Sequence, residues 1–212
     1  IGQRVLAELS EGRRHLCQSA ASLLNGLSGM PSVLLEPGEV PPIAAPGLVL
    51  VGSHVPLSDS QLADLLKQRG CSGVEFSLDG PPDLAALTAQ LQRLLSAGLT
   101  PVLFSSRGER PGYSPAKQRE LALQMAQVVM DLELPLGYVI AKGGTTSLTF
   151  LQQGLQLQQV RLLGQLLPGL SMVQPPLPHP RFGRLPVVTF PGNLGDQTTL
   201  SRCWQLLEAA RR

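Results

Sequence analysis

The sequence predicts an α/β fold in three layers: a mainly parallel sheet with helices on both faces. Three observations predict it. From residue 47 onward, short apolar runs alternate with longer amphipathic segments, the rhythm of strand–helix–strand units. Runs such as LVLV and VVTF are continuously apolar, as strands buried on both faces are. Gly and Pro punctuate the ends of these segments, where a chain reversing direction needs them.

The elements follow in order. Over residues 4–27, Val5, Leu6, Leu9, Leu16, Ala20, Leu23, Leu24 and Leu27 recur mostly at three- and four-residue steps, which predicts a helix. Residues 28–46 hold Gly29, Pro31, Pro37, Gly38, Pro41, Pro42 and Pro46 and read as a connector. Residues 47–52 form the first strand. A helix over 57–69, capped by Ser58 or Asp59, leads to a strand at 74–78. A helix over 82–97 ends before Gly98, and a strand spans 100–105. The next helix, 115–132, has Ser114 as cap and Pro115 in its first turn. A strand at 138–141 is followed by a helix opening at 146–153. Residues 160–178 break the rhythm with Gly164, Pro168, Gly169 and a Pro cluster, and read as an irregular or short-stranded excursion. A last strand at 185–190 and a helix at 198–211 close the chain.

Composition excludes several function classes. The 212 residues carry 17 basic and 15 acidic side chains, a net charge of +2, which gives no general field for nucleic acid or an anionic membrane. With 43% hydrophobic and 15% charged residues the chain is too apolar and too weakly charged for intrinsic disorder. Its apolar runs are short and broken by Gly or Pro, so no membrane span is expected. Cys17, Cys71 and Cys203 are too scattered for a disulfide framework and read as buried, inert thiols. A cytoplasmic location is the expectation. The chain starts at Ile1, without Met or a signal segment, as processing or a fragment would leave it.

Chemistry is expected where ligands meet an open parallel sheet, beyond the carboxyl ends of the strands. Three such ends are rich in small residues: Gly52, Ser53 and His54; then Lys142, Gly143, Gly144, Thr145, Thr146 and Ser147; then Pro191, Gly192, Asn193, Leu194, Gly195 and Asp196. Glycines let backbone approach a ligand closely, hydroxyls donate to anions, and Lys142 adds positive charge. Together these suit a di- or triphosphate. Singly, each reads more readily as a structural turn, and none matches GxxxxGK[ST] or GxGxxG. His15 reads as helix surface, and Arg107, Glu109 and Arg110 as a solvated turn. His54 reads either as a ligand contact or as a hydrogen-bonded structural residue. Ser53 lacks the GxSxG setting of a hydrolase nucleophile. Trp204, with Leu200, Leu206 and Leu207, reads as a core stripe.

Taken in series, GLVLVGSHVPLSDSQLADLL, YVIAKGGTTS, LLGQLLPGLSMV and VVTFPGNLGD resemble the four-carbon acid sugar kinase family, in its C-terminal nucleotide-binding domain. GRRHLCQSAASLLNGL and PVLFSSRGE resemble the flanking segments of that domain. The resemblance implies a two-domain kinase that uses ATP, with magnesium, to phosphorylate acid sugars of the 3-oxo-tetronate or erythronate type. It implies that Ser53, Gly143, Gly144, Thr145, Thr146 and Gly192 bind nucleotide, and the loop chemistry adds Lys142 and Asn193 to that set. It also implies that residues 1–45 lead in from an absent sugar-acid domain, that 46–212 form the nucleotide-binding domain, and that this chain alone is inactive. The acceptor base and the metal ligands stay unassigned, and a homodimer is allowed. Two other readings stay open: a non-catalytic nucleotide- or partner-binding α/β module, and an unrelated α/β enzyme with a phosphorylated substrate.

Overall fold

The computed structural model describes residues 1–19, 21–29, 34–108 and 114–211. Of the residues read from sequence, Ala20, Pro31, Glu109 and Arg110 lie outside that set. The chain divides into two compact units, Ile1–Leu34 and Leu35–Arg212.

The first unit holds α1 (Gly2–Ser10) and α2 (Ala21–Ser28), two helices where one was expected over 4–27. Gly12 is the reason. It sits at φ +81°, and the N–H groups of Gly12 and Arg13 donate to the carbonyls of Leu9 and Glu8, both at 3.0 Å. That paired return is a Schellman stop, and apolar spacing alone does not reveal it. His15 therefore lies beyond α1, with Nε2 3.0 Å from Glu8 Oε2. Cys17 is exposed rather than buried.

The second unit runs β1 (Leu48–Val51), α3 (Pro56–Leu65), β2 (Cys71–Phe76), α4 (Leu84–Ser96), β3 (Thr100–Ser105) and α5 (Pro115–Met130). It continues with β4 (Val139–Lys142), α6 (Gly144–Thr149), a π-helical turn over Phe150–Gly154, β5 (Arg161–Leu167), β6 (Leu170–Gln174), β7 (Val187–Phe190) and α7 (Thr199–Ala209). The sheet order is β2-β3-β1-β4-β7-β6-β5. From β2 to β7 neighbours are parallel, and β6 and β5 add an antiparallel edge. The excursion at 160–178 is thus a hairpin, turned at Gly169. The expected three-layer α/β architecture is the one observed.

Local differences have local causes. Helix α3 is capped by extended Val55 with Pro56 at its first position, so Ser58 and Asp59 lie inside its first turn rather than capping it. It stops at Leu65 instead of 69, because three-residue turn bonds from Lys67 and Gln68 lead the chain early into β2. Gly98, at φ +76°, ends the turn after α4 as expected, and the Ser114 hydroxyl accepts from the Lys117 N–H at 3.3 Å. Helix α6 opens at Gly144, ahead of the expected 146.

Alternation along the central strands splits the core. Leu48, Leu50, Val139 and Val187 face Leu91, Leu121, Met125 and Val128 of α4 and α5. Val49, Val51, Ile140, Val188 and Phe190 face Leu62 and Leu65 of α3 and Leu200, Cys203, Trp204 and Leu207 of α7. Each fully buried Leu or Val side chain contributes about 1.5–3 kcal/mol, so the sheet is anchored from both sides. Val40 and Ile43 are buried in the second layer, so this unit takes in part of the stretch read as connector. Trp204 is in the core as expected, and its Nε1 donates to Thr100 Oγ1 at 3.1 Å. Among the described residues no helix is long and apolar enough to cross a membrane.

Candidate functional site

Strands β1, β4 and β7 are adjacent and parallel, so the loops after them open on one edge of the sheet. Helix α3, after β1, packs against α7, whereas α6, after β4, packs against α5 on the opposite face. Two neighbouring strands whose connections leave on opposite faces create a crevice, the usual ligand position in such sheets. A cavity of about 510 Å³ occupies it. Its walls are Gly52–Val55 in the first loop, Gly143–Thr146 in the second, Gly192 and Asn193 in the third, and Gln118, Leu121 and Ala122 of α5.

Seven of the eight sequence-derived residues, Ser53, Gly143, Gly144, Thr145, Thr146, Gly192 and Asn193, therefore meet at one cavity. The loops touch each other closely. A Cβ on Gly192 would lie 2.7 Å from Ser53 Oγ, and one on Gly52 would lie 2.3 Å from Thr146 Oγ1. Gly143 is at φ +118°, a conformation that side chains disfavour. Gly144 differs: a Cβ there meets nothing within 4 Å, because it faces open space.

Ser58, expected only as a cap, joins two loops. Its fully buried hydroxyl lies 2.9 Å from Ser53 Oγ and donates to the Gly192 carbonyl at 3.0 Å. Gln61, one turn on, donates through Nε2 to the carbonyls of Leu194 (3.0 Å) and Asp196 (2.6 Å). No sequence signal marks these long-range bonds, since the partners lie far along the chain.

Lys142 departs from its expected place beside the loop. Alternation puts its side chain on the face of Ile140, where it is fully buried above the Phe190 ring, 4.2 Å from the centroid. Its Nζ donates to the carbonyls of Pro191 (3.0 Å) and Gly192 (2.9 Å). Burial, with the Arg107 charge second, lowers its pKa to about 8. Lys142 is thus behind the cavity wall and is not among the residues lining it.

Arg107 is likewise no solvated turn. Its guanidinium donates to the carbonyls of Val51 and Ser53 and pairs with Asp59 at 3.1 Å, tying the first loop to α3. His54 lines the cavity with Nε2 3.1 Å from Ser105 Oγ. Burial first, then the Arg107 charge, lowers its pKa, which favours the neutral ring near pH 7. The Ser147 hydroxyl, expected as a ligand donor, is spent on the Ala141 carbonyl at 2.7 Å. Asp196 folds back on Thr198 and Thr199, whose hydroxyls and backbone hold its pKa down. That closed turn starts α7 and leaves Gly192 and Asn193 as the cavity-facing part of the third loop. Among the described residues no cluster of three or more His, Cys, Asp or Glu side chains could hold a metal.

A family model described as a nucleotide-binding C-terminal domain matches residues 48–200. No curated protein matches. Among solved structures, the chain is similar to a domain of unknown function from Bordetella bronchiseptica, seen with bound citrate as a domain-swapped dimer. Identity is 25% and the TM-score 0.63, over 80% of this chain and 42% of that one. A second crystal form of that protein gives 23% and 0.59, over 80% and 41%. A Haemophilus influenzae protein of the same domain-of-unknown-function family shares the fold at 13% identity and TM-score 0.59, over 79% and 41%. This chain thus spans about two fifths of the length of the proteins it matches. Since the family match runs from the first residue of β1 into α7, through every strand that carries a cavity loop, this chain belongs to the family of nucleotide-binding C-terminal domains.

Proposed function

We propose that the cavity holds the phosphate groups of ATP, and that the chain is the nucleotide-binding part of a kinase for four-carbon acid sugars of the 3-oxo-tetronate or erythronate type. The observation that carries the reading is the convergence of three glycine-bearing loops on one cavity, with Gly144 facing open space. Backbone that close to a ligand suits phosphate oxygens, which need many donors and little side-chain bulk. The citrate on the Bordetella relative is a small polyanionic acid, chemistry akin to a sugar acid.

Phosphoryl transfer asks a protein mainly for positioning and charge stabilisation. Here Gly143, Gly144, Thr145 and Thr146 would cradle phosphate from the β4 side, and Ser53, Gly192 and Asn193 from the β1 and β7 sides. Leu121 and Ala122 of α5 offer an apolar wall for the rest of the nucleotide. Magnesium, when bound, would neutralise phosphate charge. Among the described residues no carboxylate lines the cavity, so the described loops would hold the ion chiefly through the phosphate groups. The acid-sugar site and the proton acceptor are assigned to the part of the longer relatives that this chain does not span, with residues 1–45 as the lead-in. The chain alone would then bind nucleotide weakly and transfer nothing, because transfer requires closure over the acceptor. The swapped dimers of the relative favour a homodimer.

Calorimetric titration with ADP tests the reading on wild type and Gly144→Val. A Cβ at this position meets no protein atom within 4 Å, so circular dichroism should stay native while affinity falls by more than about tenfold. Unchanged affinity would place the phosphates elsewhere. Absence of ADP binding by wild type would favour a partner-binding module.

A further inference from the structure

Of the eight residues expected to bind nucleotide, Lys142 is the one that does not line the cavity, and its surroundings give it another task. Its ammonium is held by two carbonyls and an aromatic face: Pro191 O at 3.0 Å, Gly192 O at 2.9 Å and the Phe190 ring at 4.2 Å. Both carbonyls belong to the third loop. In a trans peptide the C=O and N–H of one unit point in opposite directions. Drawing the Pro191 carbonyl inward therefore turns the Gly192 N–H outward, and drawing in the Gly192 carbonyl does the same for the Asn193 N–H. Gly192 and Asn193 are the two residues of this loop that line the cavity. Among the described residues neither N–H has a hydrogen-bond partner. Ser58 reinforces the arrangement by donating to the same Gly192 carbonyl from α3.

We infer that Lys142 is a positioning residue which, through the Pro191 and Gly192 carbonyls, aims the Gly192 and Asn193 N–H groups into the cavity as a paired anion donor. The inference rests on the nucleotide reading and deepens it. Successive N–H groups turned the same way form a concave donor pair that suits a phosphate oxygen. The ammonium itself makes no contact with the ligand. It contributes geometry directly and charge only at a distance.

The test is an amide ¹H–¹⁵N spectrum of the whole chain, titrated with inorganic pyrophosphate and separately with ADP and magnesium. In wild type, the Gly192 and Asn193 amide protons move downfield together with that of Gly144. In Lys142→Met the Gly192 and Asn193 shifts collapse while the Gly144 shift persists, and pyrophosphate affinity falls about tenfold, the worth of one good hydrogen bond to a charged group. Lys142→Arg, which keeps a cation and several donors, restores the two shifts. A merely structural lysine would weaken the shifts of all loops alike, and that outcome overturns the inference. So does a Lys142→Met spectrum with the Gly192 and Asn193 shifts intact. Should Lys142→Met fail to fold, wild type and Lys142→Arg decide. Shifts at Gly144 without shifts at Gly192 and Asn193 overturn the inference and leave the nucleotide reading standing. No shift at any loop overturns the nucleotide reading itself.

Discussion

Gly52→Ala is the perturbation whose cost the structure states most directly. The added carbon would lie 2.3 Å from Thr146 Oγ1, while Thr146 Cβ at 3.5 Å and Cγ2 at 3.6 Å are at ordinary contact distance. One atom therefore carries the clash. Thr146 cannot rotate out of it cheaply, because it is buried at 4% exposure and its branched side chain is stiff at χ1. Overpacking of this kind costs about 1–3 kcal/mol, and the expectation here is about 2. Thr146→Ala removes the offending oxygen, at its own cost of about 1 kcal/mol. The double variant should then be no less stable than Thr146→Ala alone, within about 0.5 kcal/mol, a coupling of about 2 kcal/mol between the first and second loops. The assay is urea unfolding followed by the fluorescence of the single tryptophan, Trp204, which sits in the core of the second unit. Additive costs, about 3 kcal/mol for the double variant, would show that the contact between these loops is not what excludes a side chain at Gly52.

Arg107→Met should lower stability by about 2 kcal/mol, because it leaves the carbonyls of Val51 and Ser53 without their guanidinium donor. Asp59→Asn, which removes only the half-exposed partner, should cost under about 1 kcal/mol in the same urea assay. Burial lowers the Lys142 pKa from 10.5 to about 8, so between those values the folded chain holds fewer protons than the unfolded one. Wild-type stability should therefore rise with pH across that window relative to Lys142→Met, and parallel profiles would refute the assignment. Burial raises the Cys71 pKa to about 12, and Cys203 is fully buried, whereas Cys17 is exposed. A thiol-reactive chromophore should label Cys17 first, with the other two reacting only on unfolding.

What could be read from the sequence was what is local. Strand β3 falls on the expected 100–105, because it is fully apolar at its centre and Gly98 ends the turn before it. The Ser114 cap and the Gly-rich strand ends were legible for the same reason. The places where reading failed depend on contacts across the chain. Gly12 divides the first helix through backbone geometry, while the leucines on either side keep helical spacing. Ser58, Gln61 and Arg107 look like ordinary surface residues until strand order brings Gly192, Leu194 and Ser53 to them. Lys142 was found by its neighbours, but its direction follows from strand alternation beside Phe190, which only the register of β4 with β7 supplies.

The position of β7 also sets an order of assembly. Strands β1, β3 and β4 lie close to one another in the sheet and emerge from synthesis before β5, β6 and β7. N-terminal portions of a chain generally become structured first during translation. The first two loops can therefore come together early, but Lys142 waits for the carbonyls of Pro191 and Gly192 until the last strand docks. A nascent chain halted before residue 187 would carry an unmatched cation on a face that α7 has not yet covered. On the proposed reading nucleotide contacts all three loops, so it would add stability only once β7 has docked.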